Sequence, residues 1–203
     1  MMTLLVTGFG AFPGAPRNPS ADVALILARR FRSSFSRAGV RLATAVLPVV
    51  YAIEPHLDAI AAREKPDAIV HLGVAGQRRR VSVETRARNR RSIIRPDAQR
   101  RFSARLAHPG AASERRSGWN ARLLCAALRR VRIDAVVSVD AGDYICNAAL
   151  WSALAQNGPP AIFIHVPGAR RLAPARMAEA LARILPAAML ATTRRHCVRA
   201  GWR

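Results

Sequence analysis

One short stretch holds the residue best suited to covalent chemistry. From Val136 to Asn147 the chain reads Val-Val-Ser-Val-Asp-Ala-Gly-Asp-Tyr-Ile-Cys-Asn. A β-branched run stops at Asp140-Ala141-Gly142, which is turn chemistry. An apolar run from Ala148 to Leu154 follows Cys146 and reads as a helix. Cys146 therefore stands where a strand turns into a helix. A helix N-terminus carries unpaired N–H groups and a partial positive charge. Both favour the thiolate, which is the nucleophilic form of cysteine. A buried, inert thiol is the commoner role for a free cysteine, so the local sequence leaves both roles open.

Two other runs supply partners. Phe163-Ile164-His165-Val166-Pro167 ends one apolar run with a histidine, and Val81-Ser82-Val83-Glu84 ends another with a carboxylate. Three strand ends are expected to converge at one edge of a sheet. There His165 would act as general base toward Cys146 and then as general acid toward a leaving amine, while Glu84 holds the imidazole in the useful tautomer. The plainer alternatives are a satisfied strand-end histidine and a surface carboxylate paired with a nearby arginine. His56, His71, His108 and His196 lack such a setting, although His71 is predicted near the same edge.

The elements that must position these residues alternate along the chain. Thr3–Thr7 reads as a buried strand, followed by a Gly/Pro loop bearing Phe9 and Phe12. Asn18-Pro19 reads as an N-cap with Pro at the first helical position, and a helix through Val23, Ile26, Leu27 and Phe31 follows. Arg41–Val50 is a strand interrupted by Pro48. Glu54–Lys65 is a helix with Leu57, Ile60 and Ala61 inward, and Ala68–Leu72 is a third strand. Arg86–Arg116 is polar, lacks clean periodicity and is expected to be a long surface excursion. Trp119–Val131 is a helix with Leu123, Leu124, Ala127, Leu128 and Val131 inward and Cys125 packed beside them. Trp151 is expected in the core or a subunit contact. Ala161–His165 is the last core strand, Pro174–Leu190 a helix, and Thr192–Arg203 a mobile basic tail. Such alternation predicts an α/β fold with a mostly parallel sheet covered on both faces. The 203 residues fit a single domain, 1–203.

A formal net charge of +21 invites a nucleic-acid reading. Lys65 is the only lysine, however, and the arginines are scattered over different elements. No strand pairs basic residues with stacking aromatics. The expectation is no specific nucleic-acid partner and only salt-sensitive adherence to polyanions. The three cysteines, Cys125, Cys146 and Cys197, show no CxxC or Cys/His ligand spacing. That argues against a disulfide framework and structural zinc, and fits a reducing cytoplasm. No stretch is long enough to span a membrane.

Four motifs, in order, resemble pyroglutamyl peptidase I, the pyrrolidone carboxyl peptidase family C15 of cysteine exopeptidases. The nucleophile motif Thr-Ala-Gly-Thr-Tyr-x-Cys-Asn stands here as Asp140-Ala141-Gly142-Asp143-Tyr144-Ile145-Cys146-Asn147. The histidine motif Phe-x-His-Val-Pro stands as Phe163–Pro167. The acid motif Glu-Arg-x-Ala-x-Asn is present in part as Glu84–Asn89. The opening motif is Thr7–Gly14 with Asn18-Pro19-Ser20, and Gly73–Arg78 is similar to the family's Gly-Gln-Ala-Gly-Gly-Arg. The sequence departs from the family at Pro13, Thr85 and Arg88, and no Tyr…Thr-Leu-Pro-like segment stands around Ser113–Asn120.

The resemblance implies a three-layer α/β/α sandwich of phosphorylase/hydrolase-like type. It also implies a pyroglutamyl peptide substrate, no cofactor or metal, and a homo-oligomer. It places Phe9, Phe12, Asn18, Val74, Tyr144 and Ile145 at the substrate. Arg78 becomes a support for the oxyanion beside the Cys146 backbone N–H, or one solvated member of Arg78–Arg80. A flat lactam suits an aromatic slot with a few backbone partners. Plain core packing is the other role for each phenylalanine, and Asn18 could serve as a cap alone. Two alternatives stay open: an amidase of the same mechanism on another small lactam or acyl group, and an arginine-rich polyanion-binding protein with relic site residues. A panel of acyl amides and a salt-dependent binding assay separate them.

Overall fold

The computed structural model describes residues 1–13, 15–103, 108–155 and 158–199, with side chains as far as 195. Gly14 of the opening motif and residues 200–203 of the predicted tail lie outside the described residues. Six strands form one central sheet: β1 (Met2–Phe9), β2 (Val40–Leu47), β3 (Ala68–Val74), β4 (Val81–Glu84), β7 (Ala135–Ser138) and β8 (Ala161–Val166), in the order β2-β1-β3-β8-β4-β7. Every neighbouring pair is parallel except β4 with β8. So β4 and β7 run opposite to the other four.

Helices cover both faces, which makes the architecture a three-layer α/β/α sandwich. On one face lie α1 (Pro19–Ile26), α4 (Ala121–Arg130) and α6 (Pro174–Arg199). They bury Leu4, Val6, Val70, Leu72, Val83, Ile162 and Ile164. On the other lie α3 (Glu54–Glu64) and α5 (Ile145–Ala153), packed with Phe9, Leu57, Ile145, Trp151 and Phe163. The near-continuous apolar runs of β1, β3 and β8 follow from burial on both faces. Side chains alternate between faces, so Ile162 and Ile164 point one way while Phe163 and His165 point toward α5.

Local signals account for the helix starts. The Asn18 side chain accepts from the Ser20 N–H at 3.2 Å, with Pro19 as the first helical residue. Asn120 caps α4 in the same way through Leu123 N–H.

Several expectations need correction. The first helix passes through a π-helical turn at Leu27–Phe31 before α2 (Arg32–Arg37). Leu123 is 55% exposed, and the inward stripe of α4 is Ala121, Leu124, Cys125 and Leu128. Helix α6 does not stop at Leu190 but runs to Arg199, with Thr192 and Thr193 buried. The stretch predicted as surface excursion contains β5 (Arg86–Arg88) paired antiparallel with β6 (Glu114–Arg116), and it buries Asn89, Ser92 and Asp97. Those strands are too short and too polar to show alternation.

Candidate active site

His165 lies one residue before the end of β8, and Glu84 ends β4. Because the two strands are antiparallel, Ser82 pairs with His165 and Glu84 with Phe163. Glu84 is thus diagonal to His165 on the same face, within reach of a long side chain. Its Oε1 lies 2.8 Å from His165 Nδ1, and both side chains are buried. The other ring nitrogen is left for Cys146, which lines the same cavity as His165 and lies close enough for its charge to raise the imidazole. The three groups meet over the α5 face and not at a shared rim of strand ends. The reason is the reversal of β4 and β7, which brings Glu84 and the Cys146 turn in from the opposite direction.

The turn before α5 delivers the sulfur. Gly142 has φ +85°, a left-handed conformation that glycine adopts without Cβ strain. Tyr144 precedes the helix, and Cys146 is its second residue. The Ile145 and Cys146 N–H groups have no acceptor among the described residues. They belong to the first turn of the helix, where its partial positive charge lies. Gly73 on β3 makes room opposite. A Cβ there would stand 2.5 Å from Phe163 Cζ and 3.0 Å from Cys146 Sγ.

Electrostatics favour a charged imidazole. Burial alone would hold His165 down. The Cys146 sulfur, by its charge, and Glu84 more than offset it, raising His165 to about 9. Glu84 is held in turn by Arg78, which donates to the same Oε1 at 2.5 Å and to the Asp140 carbonyl at 2.9 Å. Glu84 Oε2 is buried without a partner among the described residues. The guanidinium expected near the oxyanion is thus committed to the carboxylate. Its support of the site runs through Glu84, because the Val74–Arg80 loop lays Arg78 along β4. Thr85, standing where the family has arginine, uses its hydroxyl on the Ser138 carbonyl.

Two cavities open at Cys146. A narrow one of about 40 Å³ is lined by Phe9, Phe12, Asn18, Val49, Gly73, Val74, Tyr144 and Ile145. It gathers all six residues expected at the substrate, with Val49 and Gly73 in addition. Phe9 is buried against Phe163, and Phe12 tilts toward Tyr144. Asn18 performs both tasks: it caps α1, and its Nδ2 donates to the Gly10 carbonyl at 3.0 Å, fixing the loop that carries Phe12. The second cavity, about 560 Å³, reaches from Cys146 and His165 between the Val74–Arg78 loop and Ile94–Pro96.

The wall bearing Ile94–Pro96 was not legible as a site component. Asn147 accepts from Arg88 N–H at 2.8 Å and donates to the Arg88 and Arg90 carbonyls at 2.7 and 3.0 Å. Arg90 pairs with Asp140 at 3.0 Å. Asp97 accepts from the backbone N–H groups of Tyr51, Gln99 and Arg101, and Tyr144 OH donates to the Pro96 carbonyl at 2.8 Å. The Pro96-Asp97 dipeptide, a turn-forming pair, was the available signal. His71 lies on β3 on the same face as the site. Its Nδ1 is 2.7 Å from Thr7 Oγ1, and burial pulls it down to about 4, so it is neutral.

A free thiol beside an imidazole that is hydrogen-bonded to a carboxylate, on an α/β/α sheet, defines the class of cysteine-nucleophile hydrolases. Comparison with known proteins narrows this. The model of the family described as pyroglutamyl peptidase matches residues 2–196. A pyrrolidone-carboxylate peptidase of Gloeobacter violaceus is 32% identical over 171 residues, covering 82% of each chain. One from Thermococcus kodakarensis is 32% identical over 173 residues, 82% of this chain and 81% of that one. The crystal structure of pyrrolidone carboxyl peptidase from Fervidobacterium islandicum AW-1 shares the fold with a TM-score of 0.83 at 23% identity, over 92% of this chain and 97% of that one. The chain belongs to the pyroglutamyl peptidase family.

Proposed function

We propose that the protein is a cysteine exopeptidase that hydrolyses the amide bond after an N-terminal pyroglutamyl residue. The observation that carries this reading is the hydrogen-bonded series Arg78–Glu84–His165 beside the Cys146 thiol, opening onto a slot walled by Phe9, Phe12 and Tyr144. The Cys146 thiolate attacks the lactam-bearing acyl carbon. The developing oxyanion takes the free N–H groups at the start of α5. His165 donates its proton to the leaving nitrogen as the C–N bond breaks, which leaves a thioester and a free amine. Water then attacks the thioester with His165 as base, releasing pyroglutamate and restoring the thiol. Glu84 keeps Nδ1 protonated so that Nε2 faces the sulfur. The slot suits a five-membered lactam because its walls are aromatic and its polar groups few.

The substrate class is therefore a pyroglutamyl peptide. The free thiols of Cys125 and Cys146 support a reducing cytoplasm. No described helix is long and apolar enough to cross a membrane. Family resemblance supports a homo-oligomer, and exposed Val137 on the edge strand β7 with Val139 just after it offers a surface for it to cover. The test is release of a chromogenic amine from a pyroglutamyl amide. Cys146→Ala is expected to abolish it, by roughly 10⁴-fold or more, and unchanged turnover would reject the mechanism.

A further inference from the structure

We infer that Ile94 is a specificity-determining residue, which selects a large apolar side chain on the first residue of the leaving peptide. This rests on the peptidase reading above. The acyl group fills the narrow slot, so the leaving chain must depart through the wide cleft, the second cavity that meets Cys146 and His165. Phe12, Val74, Ile94, Pro96, Ala141 and Tyr144 give that cleft an apolar lining. Ile94 is 77% exposed. A large aliphatic side chain standing free at the mouth of a reactive cleft marks a contact surface more readily than the same residue scattered elsewhere.

The wall that carries Ile94 is held firmly. Tyr51 OH lies 3.0 and 2.7 Å from the carbonyls of Ser92 and Arg95, on both sides of it, and shares its one proton between them. Ser92 N–H donates to the Asp143 carbonyl, and Tyr144 OH to that of Pro96. The same wall is thus bonded to the turn that carries the nucleophile. A firmly placed apolar side chain discriminates, because little ordering entropy is spent when a ligand meets it.

Charge does not compete with this selection. Arg95 and Asp143 line the same cleft with opposite signs, and Arg78 is neutralised by Glu84. The lining leaves no strong bias toward an acidic or basic leaving residue. Apolar contact remains as the discriminating force. Covering roughly 40 Å² of apolar surface between Ile94 and the side chain opposite it, at about 25 cal/mol per Å², corresponds to roughly fivefold in kcat/KM.

The test compares hydrolysis of pyroglutamyl-leucinamide with pyroglutamyl-glycinamide. Both are uncharged and differ only in the side chain that would meet Ile94. The expected leucine-to-glycine ratio in kcat/KM is roughly five. Ile94→Ala should bring the ratio close to one, and Ile94→Leu should restore it. Leu123→Ala, an exposed aliphatic on α4 outside the cleft, should leave the ratio as it was. A ratio near one in the unaltered protein, or one that Ile94→Ala does not lower, overturns the inference while the peptidase reading stands. Hydrolysis of neither peptide, nor of a chromogenic pyroglutamyl amide, overturns both.

Discussion

The two sides of the Cys146 cleft are built by different means. On the acyl side, Phe9, Gly73, Val74 and His165 sit at fixed register positions of adjacent strands: Phe9 ends β1, and Gly73 pairs with His165. Their placement follows from sheet geometry, with many backbone bonds behind each side chain. On the leaving side, residues 88–101 belong to no regular sheet face beyond the short β5–β6 pair. They are placed by individual side chains: Asn147, Asp97, Tyr51 and Tyr144 each reach backbone groups far away in sequence. The first construction resists change everywhere except at its close contacts. The second depends on a handful of hydrogen bonds, and losing one should shift the wall without unfolding the sheet.

The sharpest way to break the acyl side is Gly73→Ala. A methyl group there must push Phe163 or the Cys146 sulfur, both on the catalytic face. A displacement of reacting atoms by about 1 Å costs on the order of a hundredfold, so kcat should fall about that far while the protein still folds. A loss under threefold would show that the sulfur has more room than the register implies.

The pH dependence probes the joint between the two sides. His165 is raised to about 9 by the Cys146 sulfur and Glu84. It must carry its proton to the leaving amine, so kcat/KM should fall about tenfold per pH unit above about 9. The linked stability has the same sign. A raised folded-state value stabilises fully below the ordinary 6.5 and is lost as pH rises through about 9. Glu84→Gln should move this alkaline limb to lower pH, and a limb that stays in place would separate His165 from Glu84.

The smallest effect tests the wall. Asn147→Ala strips one acceptor and two donors from part-buried backbone partners. A fully buried group left unpaired costs about 1–3 kcal/mol, and these part-buried groups cost less because water can replace the lost partner. The expected outcome is a thermal midpoint lower by several degrees and faster proteolytic cleavage within residues 88–101, with a larger rise in KM for peptides than for a small amide. Equal losses on both substrates would make Asn147 merely structural.

Much of the chemistry was readable because it lies in contiguous motifs at element ends. Asp140–Asn147 and Phe163–Pro167 each couple a periodic run to a residue of distinctive reactivity, and Asn18-Pro19 announces a capped helix. Arg78 was legible as a site residue but not in its aim, since only the path of its loop decides between an oxyanion and Glu84. Leu123 was misplaced because α4 is apolar over more than one face of its first turn.

Order of elements, the α/β class and the identities of the reactive groups are determined by local propensity and period, which act over a few residues. Tertiary structure alone decided that β4 and β7 run backward, that Glu84 therefore reaches His165 diagonally, and that an arginine-rich stretch without pattern becomes a wall of the site. The wall rests on side-chain bonds to backbone groups some 40–60 residues away, such as Asn147 to Arg88 and Tyr51 to Arg95, and the reversed strands on pairings likewise distant in the chain. Contacts of that range leave no periodicity in the chain, so nothing in the order of the residues announces them.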